Sequence, residues 1–328
     1  MKYIHIYDTR AEYNSASKQL YDMSLIRSED NLVVFHKPTR DYSLEYFTID
    51  ILTSGKFTVL PARQTSSTAF TSSNALTISY SLNDAEWITT QLLDNGLTLD
   101  VYNGDKIRFK GNNTHYCANS GSSPHKQWYV IFGIIDRNIS GIPSNNTAVQ
   151  KGFTPTTALF NVYGNIMSLC YGDDFAGQIT LPDSYTFCSL FKNSNVVSAE
   201  HLILPATTLL ASCYRAMFSW AKFLTISPTL PNVTPVTECY KYMFELCICL
   251  KQITCLAPSG INTDAFDHWA TNCPNTSDVL FIKNSNVTIG SSVGNTQYVI
   301  NTKTSITEPN SILNGNVGSN WIVQNYVE

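Results

Sequence analysis

Three related stretches decide the fold: Tyr185-Thr-Phe-Cys-Ser-Leu-Phe191, Cys213-Tyr-Arg-Ala-Met-Phe218 and Cys239-Tyr-Lys-Tyr-Met-Phe244. With their last phenylalanines aligned, the stretches are 27 and 26 residues apart, an aromatic residue stands four positions before each phenylalanine, and Leu or Met stands directly before it. A repeat of roughly 20–29 residues with fixed apolar positions is typical of a leucine-rich repeat solenoid. The stretches therefore predict a short solenoid over residues 159–275.

A solenoid of so few units needs a cap at each end, because a terminal unit exposes the apolar face that a neighbour would otherwise cover. We expect the repeat aromatics to form the core, since they keep the register. These aromatics are Tyr214, Phe218, Tyr240 and Phe244. Residues 276–328 are predicted to be the C-terminal cap, from β-like segments at 279–282, 298–301 and 321–326.

The chain before the repeats has the pattern of antiparallel β-structure. Short segments rich in β-branched and aromatic residues alternate with Ser, Asn and Gly turns, which is typical of an immunoglobulin-like β-sandwich. We expect this sandwich over residues 46–158, with Trp87 as its core aromatic. A Gly- and Ser-rich insertion at 119–158 should carry one hydrophobic strand, at residues 128–135. Predicted strands lie at 46–51, 56–60, 76–80, 87–89, 97–101 and 106–110.

Residues 1–45 contain three further β-like segments, at 2–7, 25–26 and 32–35. A segment of this size buries too little apolar surface to be stable alone. We therefore expect it to pack on the rest of the chain, on a sister subunit or on a partner. The predicted class of the whole chain is mainly β with short helices (α+β): an N-terminal anchor, a sandwich, a solenoid and a β cap.

The composition of the 328 residues is unusual in charge. Only 14% are charged and the formal net charge is −4, while 43% are hydrophobic, and a soluble domain typically carries roughly 25% charged residues. This hydrophobic content argues against disorder, and the missing basic excess argues against nucleic-acid binding. A neutral surface rich in hydroxyl and amide groups is typical of β-proteins displayed outside a cell.

The N-terminus predicts no secretory signal, because His5, Asp8 and Arg10 interrupt any apolar stretch of the required length. No apolar run reaches the roughly 18 residues of a membrane helix. A protein that folds in a reducing cytoplasm keeps its thiols reduced, and we expect its nine cysteines to be structural.

Three groups of residues could carry chemistry, and each has a simpler interpretation. The groups are His115 with Cys117 and His125, Asp173 with Asp174, and Asp264 with Asp267 and His268. The first group could bind a metal, but it is more simply explained as solvated loop residues. The second could bind calcium or act as a carboxylate pair but reads as an exposed turn. The third shares a helix face if the segment is helical, and reads as a hydrogen-bonded cap. We therefore predict no enzyme, no metal and no cofactor.

Two aromatic residues, Trp220 and Tyr242, fall outside the repeat register as read from the sequence. Exposed aromatic rings on a neutral surface can stack on sugars. Trp220 and Tyr242 are therefore the candidate glycan-binding residues.

The run at residues 202–218, LILPATTLLASCYRAMF, resembles the BspA-like leucine-rich repeats of Bacteroidales surface proteins and of the phages that infect those bacteria. The resemblance covers residues 46–118 and 159–328. The sequence departs from the family pattern at Ser219-Trp220-Ala221, where a Gly-Cys turn is expected, and at residues 256–261, which lack the LPATTL run. Further similar segments lie at residues 78–87, 104–112, 160–169 and 321–326.

Residues 1–45 resemble the leader that recurs on virion proteins of crAss-like Bacteroides phages. The resemblance implies docking on another virion protein, such as a capsid or auxiliary capsid protein. The implied docking residues are Tyr3, Ile4, Tyr7, Glu12, Tyr13, Leu25 and Ile26.

The resemblance implies a structural protein of the phage particle: a capsid-associated head fibre or decoration protein, assembled in the host cytoplasm. A homo-oligomer that adheres to a host-surface glycan or protein is expected, without nucleic-acid or membrane binding. The alternatives are a BspA-like bacterial adhesin, which needs a signal peptide, and a tail or collar fibre of the same phage type. A depolymerase would need an acid pair in a groove.

Overall fold

The computed structural model describes residues 4–7, 23–27, 33–36, 40–63, 75–118, 128–135, 153–258, 265–274, 277–284 and 321–326. The protein is mainly β, as predicted. Within these ranges the α-helical residues form one short helix, α1 (Ser168–Tyr171). It leads into a 3-10 turn, Gly172–Asp174, and a second such turn spans Tyr42–Leu44.

The first three strands form a sheet of their own. Strand β1 (Ile4–Tyr7) pairs in parallel with β2 (Met23–Arg27), and β2 pairs antiparallel with β3 (Val33–His36). The three strands coincide with the β-like segments expected in residues 1–45. Among the strands that the structure describes, they pair only with one another.

The next part of the chain forms two facing antiparallel layers. One has the strand order β10-β11-β5-β8, and the other has the order β4-β9-β6-β7. Rings from both layers meet between them, with Phe132 lying 5.1 Å from Phe109 and 5.3 Å from Phe47 between ring centroids. Their bounds are β4 (Phe47–Ile51), β5 (Gly55–Arg63), β6 (Leu76–Leu82), β7 (Ile88–Leu92), β8 (Leu97–Val101), β9 (Lys106–Gly111), β10 (Cys117–Ala118) and β11 (Trp128–Phe132).

Strand β11, which we expected inside an insertion, is a full member of its layer. It pairs along β5 over five residues, from Phe132 opposite Val59 to Trp128 opposite Arg63. The hydrophobic segment after residue 127 thus completes the layer.

Trp87 is not the core aromatic, contrary to the prediction. Its ring is partly exposed and contacts Arg108 and Lys110 on the outer side of β9. Strand alternation explains the difference, because Ile107 and Phe109 point into the core and the two cations point away from it. The space between the layers is filled by phenylalanines 47, 57, 109 and 132.

Strand β12 (Phe160–Asn165) joins the two layers to the repeats. It pairs antiparallel with β4 on one side and in parallel with β13 (Val196–Ile203) on the other. Four more parallel strands follow, so the sheet has ten strands. It continues without interruption across the boundary expected at residue 158 between the sandwich and the solenoid. One cluster of buried side chains extends from Phe47 to Trp321. The four strands are β14 (Ile226–Leu230), β15 (Gln252–Cys255), β16 (Leu280–Lys283) and β17 (Ile322–Asn325).

Two segments of the expected cap therefore extend the parallel sheet, as β16 and β17. The third, at 298–301, lies outside the described residues. We call the stacked units from β12 to β17 the repeat array.

The side of the repeat array opposite the sheet consists of stacked turns. In the unit that contains Ser212, Ala216 and Trp220, these three residues have φ of 56°, 52° and 65°, so every fourth residue is in the left-handed region. Alternate backbone N–H groups donate to carbonyls of the next unit, as from Tyr214 to Cys239 at 3.0 Å. This backbone ladder satisfies polar groups that the turns would otherwise leave unpaired.

Two ladders of aromatic rings run through the core of the array. Phe218 stacks between Phe191 at 5.2 Å and Phe244 at 5.8 Å, with interplanar angles of 8° and 12°. Tyr214 stacks likewise between Phe187 and Tyr240 at 6.1 and 6.0 Å. The repeat aromatics are fully buried, as predicted.

A fourth unit continues both ladders beyond the three that the sequence suggests. Phe266 lies 5.2 Å from Tyr240, and Trp269 lies 5.7 Å from Phe244. The carbonyls of this unit also accept in register, since the N–H of Tyr240 donates to the carbonyl of Ala265 at 2.9 Å.

Replacing Phe218 by Ala should lower the free energy of unfolding by about 3–5 kcal/mol, because the change opens a cavity between two stacked rings. Urea unfolding followed by circular dichroism measures the effect. Tyr214→Phe is the matched control: it keeps the ring and removes a hydroxyl that has no partner among the described residues, so stability should change by less than about 1 kcal/mol. Equal effects of the two changes would contradict the stacked-ring core.

Candidate functional site

The candidate glycan-binding residues Trp220 and Tyr242 both lie on the turn side of the repeat array. Both have positive φ, 65° and 57°. Both belong to the backbone ladder, since their N–H groups donate to the backbone carbonyls of Glu245 and Asp267, respectively. They therefore follow the backbone register, although their side chains do not follow the aromatic motif. Both residues are partly exposed, whereas the rings of the aromatic motif are buried.

The ring of Tyr242 is surrounded by its own chain. The Arg215 guanidinium lies 5.7 Å and the Lys241 ammonium 5.4 Å from its centroid, and the His268 ring lies 5.4 Å away. Cations over a ring hold it by electrostatic attraction. A sugar would have to displace these neighbours to stack on Tyr242.

Trp220 is less enclosed. Among the described residues, one cation lies over its ring, the ammonium of Lys222 at 5.9 Å. Phe223 and Ile248, from this unit and the next, are 44% and 52% exposed. Trp220 is therefore the better placed of the two candidates.

An ion-pair ladder runs beside Tyr242 across neighbouring units. Glu238 accepts hydrogen bonds from Arg215, from Lys241 at 3.0 Å and from Ser212 at 3.2 Å. Lys241 also pairs with Asp267 at 3.0 Å. Burial opposes the charge on Glu238, but Lys241 and Arg215 outweigh it and hold the pKa of this carboxyl below its ordinary 4.5.

Asp267 and His268 belong to the fourth unit, and the segment is not the helix considered from the sequence. His268 has φ of 52°, which a right-handed helix does not allow. Burial raises and Lys241 and His268 lower the pKa of Asp267, with a net decrease. Asp264 lies outside the described residues.

The structure describes two of the three residues considered as possible metal ligands, His115 and Cys117. His115 contacts the Asp183 carboxylate at 3.4 Å and Thr114 at 3.1 Å, while Cys117 is buried and His125 falls outside the described residues. In the part of the chain that the structure describes, no three His, Cys, Asp or Glu side chains are grouped to hold a metal ion. All nine cysteines are free thiols, and Cys249 alone is exposed.

Asp173 is engaged in a network. Its carboxylate accepts from the Tyr46 hydroxyl at 2.6 Å and binds the Lys110 ammonium at 2.7 and 2.8 Å. These bonds lower the pKa of Asp173, and burial together with this hydrogen bond raises the pKa of Tyr46 to about 12. Its neighbour Asp174 is exposed.

The same network carries an aromatic group that sequence reasoning missed. Trp87 contacts Tyr46 edge-to-face at 5.0 Å, with Lys110 4.4 Å and Arg108 5.4 Å from the indole. We call Tyr46, Trp87, Arg108, Lys110 and Asp173 the sheet-face cluster. A signal was present in the sequence, because Arg108 and Lys110 alternate with core residues along one strand.

The expected docking residues are placed in part. Ile4 and Tyr7 lie in β1, and Leu25 and Ile26 lie in β2, where the register sets Tyr7 opposite Ile26. Tyr3, Glu12 and Tyr13 are outside the described residues. Across those residues, no helix is long and apolar enough to span a membrane.

No protein-family model matches the sequence, and neither a curated protein nor a solved structure gives a significant match. The resemblance to BspA-like repeats therefore rests on the motifs of this chain. Function has to be inferred from its residues and their contacts.

The ion-pair ladder predicts an acid dependence of stability. A carboxyl whose pKa is depressed on folding contributes stability above its unfolded pKa, and this contribution is lost as the pH falls through the folded pKa. Glu238→Gln should thus cost about 1 kcal/mol or less at neutral pH, and the cost should vanish below the folded pKa. Urea unfolding at about pH 7, 5 and 3 tests this.

The exposed Glu86 supplies the control. Glu86→Gln should leave the pH profile of unfolding unchanged. A Glu238→Gln protein with the same acid profile as the unmodified chain would show that the ladder contributes nothing.

Proposed function

We propose that this protein is a non-enzymatic structural protein of a phage particle, a head fibre or decoration protein that adheres to the host surface. In this proposal the two facing layers are an immunoglobulin-like sandwich and the repeat array is a BspA-like leucine-rich repeat solenoid. Both project from the particle, while residues 1–39 dock on another virion protein.

The observation that carries the proposal is the separate N-terminal sheet. Strands β1 to β3 pair only among themselves in the described part of the chain, whereas the described strands after residue 40 form the two larger sheets of the main body. Three short strands bury too little surface to be stable without support. A module of this kind, fused to a self-sufficient body, fits an anchor that completes its core on a partner.

The main body begins at a fixed point, Arg40. Its guanidinium binds both carboxylate oxygens of Glu45 and lies 4.6 Å from the Tyr163 ring and 4.9 Å from the Tyr42 ring. Tyr42 in turn stacks on His201 at 4.4 Å. Residues 40–45 therefore pack on the main sheet, and the anchor ends before them.

The repeat array supports a display role. Each unit contacts its neighbours through backbone and ring ladders, so length is gained by stacking and not by a larger core. Six parallel strands, from β12 to β17, give an array about 25 Å long. Trp220 and its exposed apolar neighbours offer a contact surface on the turn side.

Purified particles provide the first test. If the proposal holds, mass spectrometry of gradient-purified virions finds the chain at a fixed ratio to the major capsid protein. Recovery from the bacterial envelope and not from particles would contradict it and would favour the alternative, a BspA-like surface adhesin.

Truncation provides the second test. Deleting residues 1–39 should abolish incorporation into particles and leave the unfolding midpoint of the body unchanged. Deleting 1–45 should also destabilise the body, because it removes the Arg40–Glu45 pair and the Tyr42–His201 stack. Normal incorporation of the shorter truncation would refute the anchor role.

A further inference from the structure

The sheet-face cluster lies on the outer face of the ten-stranded sheet, opposite the phenylalanine core. Arg108 and Lys110 both project from the outer side of β9, so they meet the indole of Trp87 from the sheet side. The Trp87 side chain is partly exposed. Part of the residue is therefore open to solvent beside the two cations.

The cluster is held in place before any ligand arrives. Lys110 is fixed by both oxygens of Asp173, and Arg108 by the Asp84 carboxylate at 3.1 Å and the Ser81 hydroxyl at 3.2 Å. Each cation over the ring thus has a carboxylate partner, and the local charge sums to zero. A ring fixed in this way loses little freedom when a ligand stacks on it.

Hydroxyl groups lie on the same face of the sheet as Arg108 and Lys110. Strand register sets Ser79 opposite both Lys110 and Thr89, and Ser81 opposite Arg108. The Ser79 and Thr89 hydroxyls are 2.8 Å apart, and Thr89 is exposed. A hydroxyl engaged in one hydrogen bond can still make others.

We propose that the sheet-face cluster is a binding site for a neutral polysaccharide, with a sugar ring stacked on the exposed part of the Trp87 indole. The C–H groups of the sugar meet the negative face of the indole. The sugar hydroxyls bond Thr89, Ser79 and the Asp173 carboxylate. This inference rests on the proposed adherence function and names the class of ligand and a second site for it.

Charge and area argue for this ligand over others. An acidic polysaccharide would find both cations already paired with Asp84 and Asp173. A stable protein partner buries about 800 Å² on each side around an apolar centre, whereas this face offers two partly exposed rings in a polar surround. A neutral sugar matches both features.

Affinity electrophoresis of the full chain in gels with neutral polysaccharides (mannan, dextran and galactan) or with polygalacturonate tests the site. All variants carry Trp220→Ala, so that the repeat array does not contribute. We expect retardation by a neutral polysaccharide, an approximately tenfold or greater loss of affinity with Trp87→Ala, and an intermediate loss with Trp87→Phe. Tyr102→Ala, which removes a 69% exposed ring elsewhere, should change nothing.

Several results would overturn the site: no retardation by any neutral polysaccharide, equal binding after Trp87→Ala, or preference for polygalacturonate. Binding to host cells that survives periodate oxidation of their sugars would point to a protein partner instead and would equally refute it. Trp87→Phe keeps an aromatic ring and separates lost contact from misfolding. Particle incorporation, measured on the same variants, shows independently whether the proposed virion role stands.

Discussion

The structure depends on β12, which pairs with an antiparallel strand on one edge and a parallel strand on the other. Through this strand the two-layer unit becomes the first cap of the repeat array. Both ring ladders begin in that unit, since Tyr116 stacks on Phe187 at 6.3 Å and Phe132 meets Phe191 at 6.4 Å. The backbone ladder begins there too, with the N–H of Tyr116 and of Phe132 bonded to the first unit at 2.8 Å. So few units can form an array because their first apolar face is never open.

The stacked turns explain why the array cannot form unit by unit. Eleven non-glycine residues in the described part of residues 185–272 have positive φ, and each costs roughly 1–2 kcal/mol of backbone strain. Each hydrogen bond to the next unit contributes about 1 kcal/mol of stabilisation, and ring stacking and burial offset the rest of the strain. A lone unit has the strain without the bonds, so stability comes only with neighbours on both sides.

The sequence predicts what local spacing determines. The repeat aromatics, the β class and the three N-terminal strands follow from period and alternation. The sequence motif does not reveal the fourth unit, because Ala265 and Trp269 replace the Cys and Met of the motif. The backbone ladder nevertheless accommodates both replacements. Trp87 was misplaced because hydrophobicity alone cannot tell a core ring from one held outside by cations. The sequence does not reveal that β12 joins the two layers to the repeat array, because a strand that pairs differently on its two edges has no distinct sequence pattern.

One continuous sheet also fixes where the functional surfaces lie relative to each other. A single cross-strand row connects His201, Tyr163, Thr48, Arg108 and Ser81 on its outer face. Arg40, where the body begins, packs on Tyr163, and Trp87 packs on Arg108, two strand spacings or about 10 Å away. The start of the body and the proposed sugar site are thus joined by paired strands and not by a flexible linker. A body held at Arg40 would therefore present the Trp87 surface in one orientation, as a displayed adherence site requires.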